Sequence, residues 1–162
     1  MRLFFALWPP RETARALAEW ALAIQQGAGG RVAKEDNIHL TLAFLGDADL
    51  GKASAAAEPV RCNRFDLPID TAKYWKHNRI VWVGPAVLPA ALSGMVEKLH
   101  DSLKEKGFVL EERPFAAHVT LVRRAALPGR IPPLPRIQWP VDEFVLVESR
   151  NGRYEVLERY PL

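Results

Sequence analysis

The sequence predicts an α+β fold with largely antiparallel sheets, and three observations carry the prediction. Most of the 162 residues fall into short β-branched or alternating runs bounded by glycine and proline, and two principal segments have helical periodicity. The third observation is a repeat. An apolar strand, a helix-period segment and a strand opening on His-x-Thr occur twice in that order.

Taken along the chain, Arg2–Trp8 reads as a hydrophobic strand stopped by Pro9. Pro9 and Pro10 open a helix with Leu17, Trp20, Ala21 and Ile24 on one stripe, and Gly27, Gly29 and Gly30 stop it. Asn37–Leu45 is the first histidine strand, ended by Gly46-Asp47, and the alanine-rich stretch Asp49–Val60 is read as a further helix. Phe65–Trp75 is a strand or a pair of edge strands, because Pro68 cannot sit in a central position. The plan then starts again at Arg79–Val83. The helix Leu88–Lys106 has a stripe of Leu88, Leu92, Met95, Val96, Leu99 and Leu103, with Gly107 placed to cap it. Phe108–Glu111 is read as a short strand leading to the second histidine strand, His118–Arg123. The proline-rich run Pro128–Pro140 is expected as a surface loop, and Asn151-Gly152 as the turn of a closing β-hairpin.

The two histidine strands carry His39-Leu40-Thr41-Leu42 and His118-Val119-Thr120-Leu121. Period-two alternation places each histidine on one face with its own threonine, while the aliphatic residues point into a core. Arg2 precedes His39 by 37 positions and Arg79 precedes His118 by 39, which suggests two copies of one unit, roughly 2–46 and 79–124. An approximate two-fold between them brings the histidines face to face across a cleft. Two opposed imidazoles with hydroxyls beside them are the parts of a metal-free acid/base site for a phosphate ester.

Size and composition bound this reading. A chain of this length with 49% hydrophobic residues buries one globular core, as a single domain or as two lobes sharing it. The net charge of +3 is too small for wrapping duplex nucleic acid, but it suits a cleft that attracts one anionic group. Cys62 is the only cysteine, so no intrachain disulfide is possible and a reducing compartment, the cytoplasm, is expected. No segment approaches the roughly 20 apolar residues of a membrane span.

Blander readings compete with the chemistry. One histidine on a strand is ordinarily a packed structural residue, and threonine favours strands anyway; a repeat of the pair in a repeated setting is hard to explain by propensity. Zinc would need a third ligand, which neither strand supplies; His77 lies in a turn and His100 on the charged side of the second principal helix. Cys62 has no obvious base, and the Gly27–Gly30 segment lacks the lysine of a phosphate loop. Trp75, Trp82, Trp139, Phe115 and Tyr74 are either core or a stacking surface at the cleft rim, with core the expectation for Trp82.

The segments Asn37–Gly46 and Arg113–Arg123 closely resemble the paired motifs of the 2H phosphoesterases, and within them the RNA 2′,3′-cyclic phosphodiesterases formerly called 2′-5′ RNA ligases. The resemblance runs from Arg2-Leu-Phe-Phe-Ala-Leu to Pro161-Leu162 and implies a bilobal α+β fold over residues 1–162 with the site between the lobes. It further implies hydrolysis of 2′,3′-cyclic phosphate ends to 2′-phosphates with no cofactor or metal, His39 as proton donor and His118 as acceptor. Thr41 and Thr120 are expected to bind the phosphate, and Arg123 matches the family's phosphate-holding arginine. Strict alternation puts Arg123 on the opposite face from His118, so the strand ends or twists there, or Arg124 takes that role. The expected partners are RNA 3′ ends or small nucleotides carrying a cyclic phosphate, acted on by a monomer. Joining of RNA ends into a 2′-5′ linkage, or binding of RNA ends without turnover, are the alternatives.

Overall fold

The computed structural model describes residues 1–162 and is α+β. β1 (Arg2–Leu7) leads to α1 (Arg11–Ala28), which buries Leu17, Trp20, Ala21 and Ile24 and closes where Gly29 takes a φ of +68°. β2 (Arg31–Val32) and one 3₁₀ turn (Glu35–Asn37) precede β3 (Leu40–Asp47). α2 (Leu50–Ala57) is capped by Asp49, whose carboxylate accepts from the Lys52 N–H at 3.2 Å. β4 (Phe65–Ile69), β5 (Thr71–Trp75) and β6 (Ile80–Gly84) follow, then α3 (Ala90–Glu105), β7 (Val119–Arg123), β8 (Ile137–Val141), β9 (Glu143–Arg150) and β10 (Arg153–Pro161).

The strands form two four-stranded sheets, ordered β10-β9-β1-β3 and β2-β7-β6-β5, and a ribbon of β4 with β8. Every pairing is antiparallel. Each large sheet holds one strand, helix and histidine strand in the same order: β1, α1, β3 in the first, β6, α3, β7 in the second. One core runs through both, joining Phe5, Leu7 and Leu42 of the first sheet to Val81, Leu121 and Val122 of the second through helix residues such as Leu17 and Leu99. A smaller cluster of Phe4, Ala6, Val145 and Val147 covers the other face of the first sheet.

Several sequence expectations need correction. Phe108–Glu111 forms no strand, and Leu88 lies ahead of α3, exposed. The proline-rich run is a loop only to Arg136; its end becomes β8, and Trp139 there is a core residue. Prolines are tolerated because β4 and β8 pair only with each other, so Pro68 and Pro140 each have an open edge. The loop itself is pinned to α1, where the Trp20 indole N–H donates to the Pro132 carbonyl at 3.0 Å.

Both histidine strands carry a β-bulge at the same place. Opposite β6, Trp82 faces Thr120 and Val81 faces Val122, so Leu121 is the extra residue; opposite β1, Ala6 faces Thr41 and Phe5 faces Ala43, so Leu42 is extra. A bulge resets the alternation, so both residues after the threonine turn into the core and the next returns to the threonine's face. The burial runs from Leu40 and from Val119 are accordingly identical over five residues: buried, half-buried, buried, buried, exposed.

Candidate active site

His39 stands one residue ahead of β3, just beyond the 3₁₀ turn that ends on Asn37. Its Nδ1–H donates to the Asn37 carbonyl at 2.7 Å; a carbonyl can only accept, so the neutral ring keeps its proton on Nδ1 and Nε2 is left as an acceptor. The Thr41 hydroxyl, 3.1 Å away, donates to that Nε2. Three aromatic rings enclose the imidazole. Trp8 lies nearly parallel to it at 5.1 Å, Phe4 is tilted at 5.0 Å, and Tyr154 meets it edge-on at 5.2 Å. Burial among them is the largest influence on its acidity, opposed by the Asn37 bond and reinforced by the positive charges of Arg123 and His118; together they bring its pKa down to about 4.

His118 repeats the device one residue ahead of β7. Its Nδ1–H donates to the Ala116 carbonyl at 2.9 Å, again two residues back, and again Nε2 is directed away from the backbone. Trp75 meets its ring at 4.8 Å and Trp82 at 6.1 Å, the two indoles themselves 4.8 Å apart. Trp82 is thus half-buried beside His118 rather than in the core, and its Nε1–H is buried without a partner. The segment before His118 is pressed against β6: a Cβ on Gly84 would stand 2.5 Å from the Ala117 carbonyl oxygen, so only glycine fits there.

Thr120 shares the His118 face, and the bulge at Leu121 brings Arg123 onto it as well, which corrects the strict-alternation expectation. Arg124 turns the chain out of the strand at a φ of +55°. That turn is pinned by the Arg79 guanidinium, which donates to the Arg124 and Ala125 carbonyls at 3.3 Å, and by the Tyr74 hydroxyl, which donates to the Ala125 carbonyl at 2.8 Å. β3 and β7 run close to one another, and Arg123 and His118 both lie near enough for their charge to act on His39. Arg123 and His118 of the second sheet are therefore within electrostatic reach of His39 in the first, and each histidine shares a face with its own threonine.

Two further placements differ from the sequence reading. His100 is half-buried, with its Nε2–H donating to the Leu42 carbonyl on the free edge of β3 at 2.8 Å, so it ties α3 to the site strand instead of facing solvent. Trp8, Phe4 and Tyr154, which enclose His39, are not among the residues the sequence reading singles out. A signal exists: Leu3–Trp8 is apolar at every position, which a strand with one solvated face is not. No three His, Cys, Asp or Glu side chains cluster as a metal-binding set. The assembled groups are two imidazoles with fixed tautomers, two hydroxyls and a guanidinium, which suits proton transfer at both ends of an anionic ester.

The chain is similar to known proteins over its whole length. The family described as LigT like Phosphoesterase matches residues 7–82. The RNA 2′,3′-cyclic phosphodiesterase of Escherichia coli (strain K12) is 35% identical over 170 residues, covering 99% of this chain and 96% of that protein. The protein of the same name from Thermus thermophilus is 31% identical over 100% of this chain and 90% of its own length. Among solved structures, E. coli LigT complexed with 3′-AMP superimposes with a TM-score of 0.89 at 34% identity, covering 99% and 97% of the two chains.

Proposed function

The chain belongs to the LigT-like phosphoesterases of the 2H superfamily, and from that premise we propose that it hydrolyses RNA 2′,3′-cyclic phosphate ends to 2′-phosphates, using His39 and His118 as acid and base. The observation that carries this reading is the matched anchoring of the two rings, each held by its Nδ1–H on the carbonyl two residues back. Each imidazole thereby turns its Nε2 to the threonine-bearing face. The one-domain, two-lobe description over 1–162, with units near 2–46 and 79–124, belongs to the same proposal and is supported by the matching bulges and burial runs of β3 and β7.

In the reaction, water enters at one apex of phosphorus and the ribose 3′ oxygen leaves from the other. Neutral His118 takes the proton of the water as its oxygen bonds to phosphorus. Protonated His39 delivers a proton to the 3′ oxygen as that P–O bond breaks, leaving a 3′ hydroxyl and a 2′-phosphate. His39 rests neutral in the free protein, chiefly because burial penalises its charged form, and the phosphate anion draws the needed proton onto it by supplying a counter-charge that also offsets the repulsion of Arg123. Protonation also turns Nε2 into a donor, which releases the Thr41 hydroxyl proton for a non-bridging oxygen. Thr120 and Arg123 serve the same oxygens, whose charge grows at the transition state. The substrates are RNA ends or small nucleotides, and the protein acts as a monomer.

The depressed pKa of His39 favours one second assignment, in which His39 is the base and His118 the acid. Phosphorus NMR on a nucleoside 2′,3′-cyclic phosphate tests the reaction itself: the parent forms the 2′-phosphate, and His39→Ala and His118→Ala each lose at least ~10²-fold in turnover. Parent-like turnover by both folded variants would overturn the mechanism. A cyclic substrate with sulfur at the 3′ leaving position needs little proton donation, so it restores turnover to the variant that lacks the acid. Rescue of His39→Ala supports the first assignment, and rescue of His118→Ala the second.

A further inference from the structure

The two bulged strands place different residues at one equivalent position. Three places after its threonine, β7 presents Arg123; three places after its own, β3 presents Phe44. Phe44 is 58% exposed although it is a large apolar ring, and it shares the site face with Thr41 because it pairs with Phe4 across the bulged register. Its ring lies 5.6 Å from that of Phe4, which in turn lies 5.0 Å from His39. Phe44 is therefore one ring further from the chemistry than Phe4, which is itself only 2% exposed and packs behind it. One alternation step before Phe4 on the same face is Arg2, exposed and in no salt bridge; Asp47, opposite Arg2 in register, lies instead near the chain's amino terminus at 3.9 Å.

An exposed aromatic ring followed by a free guanidinium, both leading away from an anion site, matches the alternation of base and phosphate along a single strand. We propose that Phe44, backed by Phe4, is a stacking surface for the nucleobase one nucleotide upstream of the cyclic phosphate, with Arg2 facing the phosphate beyond it. The upstream base is the one that fits, since the Phe4 ring intervenes between Phe44 and the histidine beside which the terminal phosphorus sits. The favoured substrate is then a single-stranded RNA end rather than a free mononucleotide. This inference rests on the phosphodiesterase reading and adds a subsite to it.

The test compares kcat/KM for a trinucleotide ending in a 2′,3′-cyclic phosphate with that for the matching nucleoside 2′,3′-cyclic phosphate, at fixed salt. The parent prefers the trinucleotide; Phe44→Ala lowers that preference about 5- to 150-fold, the range expected for one stacked base, and Phe44→Tyr keeps it. Arg2→Gln lowers kcat/KM for the trinucleotide and makes it less sensitive to salt. An unchanged preference in Phe44→Ala, or an equal loss on both substrates, overturns the subsite. Turnover of both substrates by the parent without preference also overturns it while leaving the phosphodiesterase reading intact, whereas turnover of neither removes both.

Discussion

Trp8 covers one face of the His39 ring, with only 7° between the planes, and Phe4 and Tyr154 close other sides. A ring so covered cannot hydrate its charged form, which is why burial leads the causes of its lowered pKa. Trp8→Ala opens that face to water. The expected outcome is a rise of the His39 titration midpoint from about 4 toward the ordinary 6.5, read from imidazole proton shifts by NMR. A midpoint that stayed put would show that Trp8 is not what excludes water. At this scale the histidines and threonines were legible because each pair occurs twice in the same setting. The enclosing aromatics were harder to see, since Trp8 and Phe4 sit in an unbroken apolar run and Tyr154 lies 115 positions from His39.

Arg123 reaches the site face through an element-level irregularity, the extra Leu121 in β7. The residue types only hint at it: regular alternation would put Val122 on the site face and bury Arg123, but they do not say whether the strand ends, twists or takes an extra residue there. Bulges are set by how a strand meets its neighbour, so register decided what alternation could not. The same dependence on neighbours makes Gly84 an informative position. Its backbone φ is ordinary, yet the Ala117 carbonyl occupies the space a side chain needs. Gly84→Ala must push the segment carrying Ala116 and His118 away from β6. We expect a loss of about 1–3 kcal/mol in stability, measured by urea unfolding, together with lower turnover as the His118 anchor on the Ala116 carbonyl shifts. Unchanged stability and turnover would mean that this contact does not hold the histidine.

For the whole molecule, the candidate site lies where β3 and β7 of the two sheets approach, and contacts far apart in sequence tie α3 to the first half of the chain: His100 on the Leu42 carbonyl of β3, and the Ser102 hydroxyl donating to the Ala56 carbonyl of α2 at 2.6 Å. Seating a histidine in an aromatic enclosure has a pH signature. Because the folded pKa of His39 lies below its unfolded value, the unfolded chain binds more protons between them, and stability falls as pH drops from about 6.5 toward 4. His39→Phe removes this contribution, so its urea midpoint should decline less over that window than the parent's; parallel declines would refute the assignment. Glu158 acts lower on the scale, since its hydrogen bonds from Ser54 and Tyr160 hold its carboxyl below the usual range. By itself the sequence determined the fold class, the repeated order of strand, helix and histidine strand, and the two His-x-Thr pairs, because strand period, turn residues and repeat spacing are local properties that need no partner strand. Tertiary structure alone decided which residues surround His39, how Arg123 turns to the site face, and that Phe44 occupies the equivalent place on the other side. Those depend on register and on packing between sheets, where the residues that meet are not neighbours in the chain.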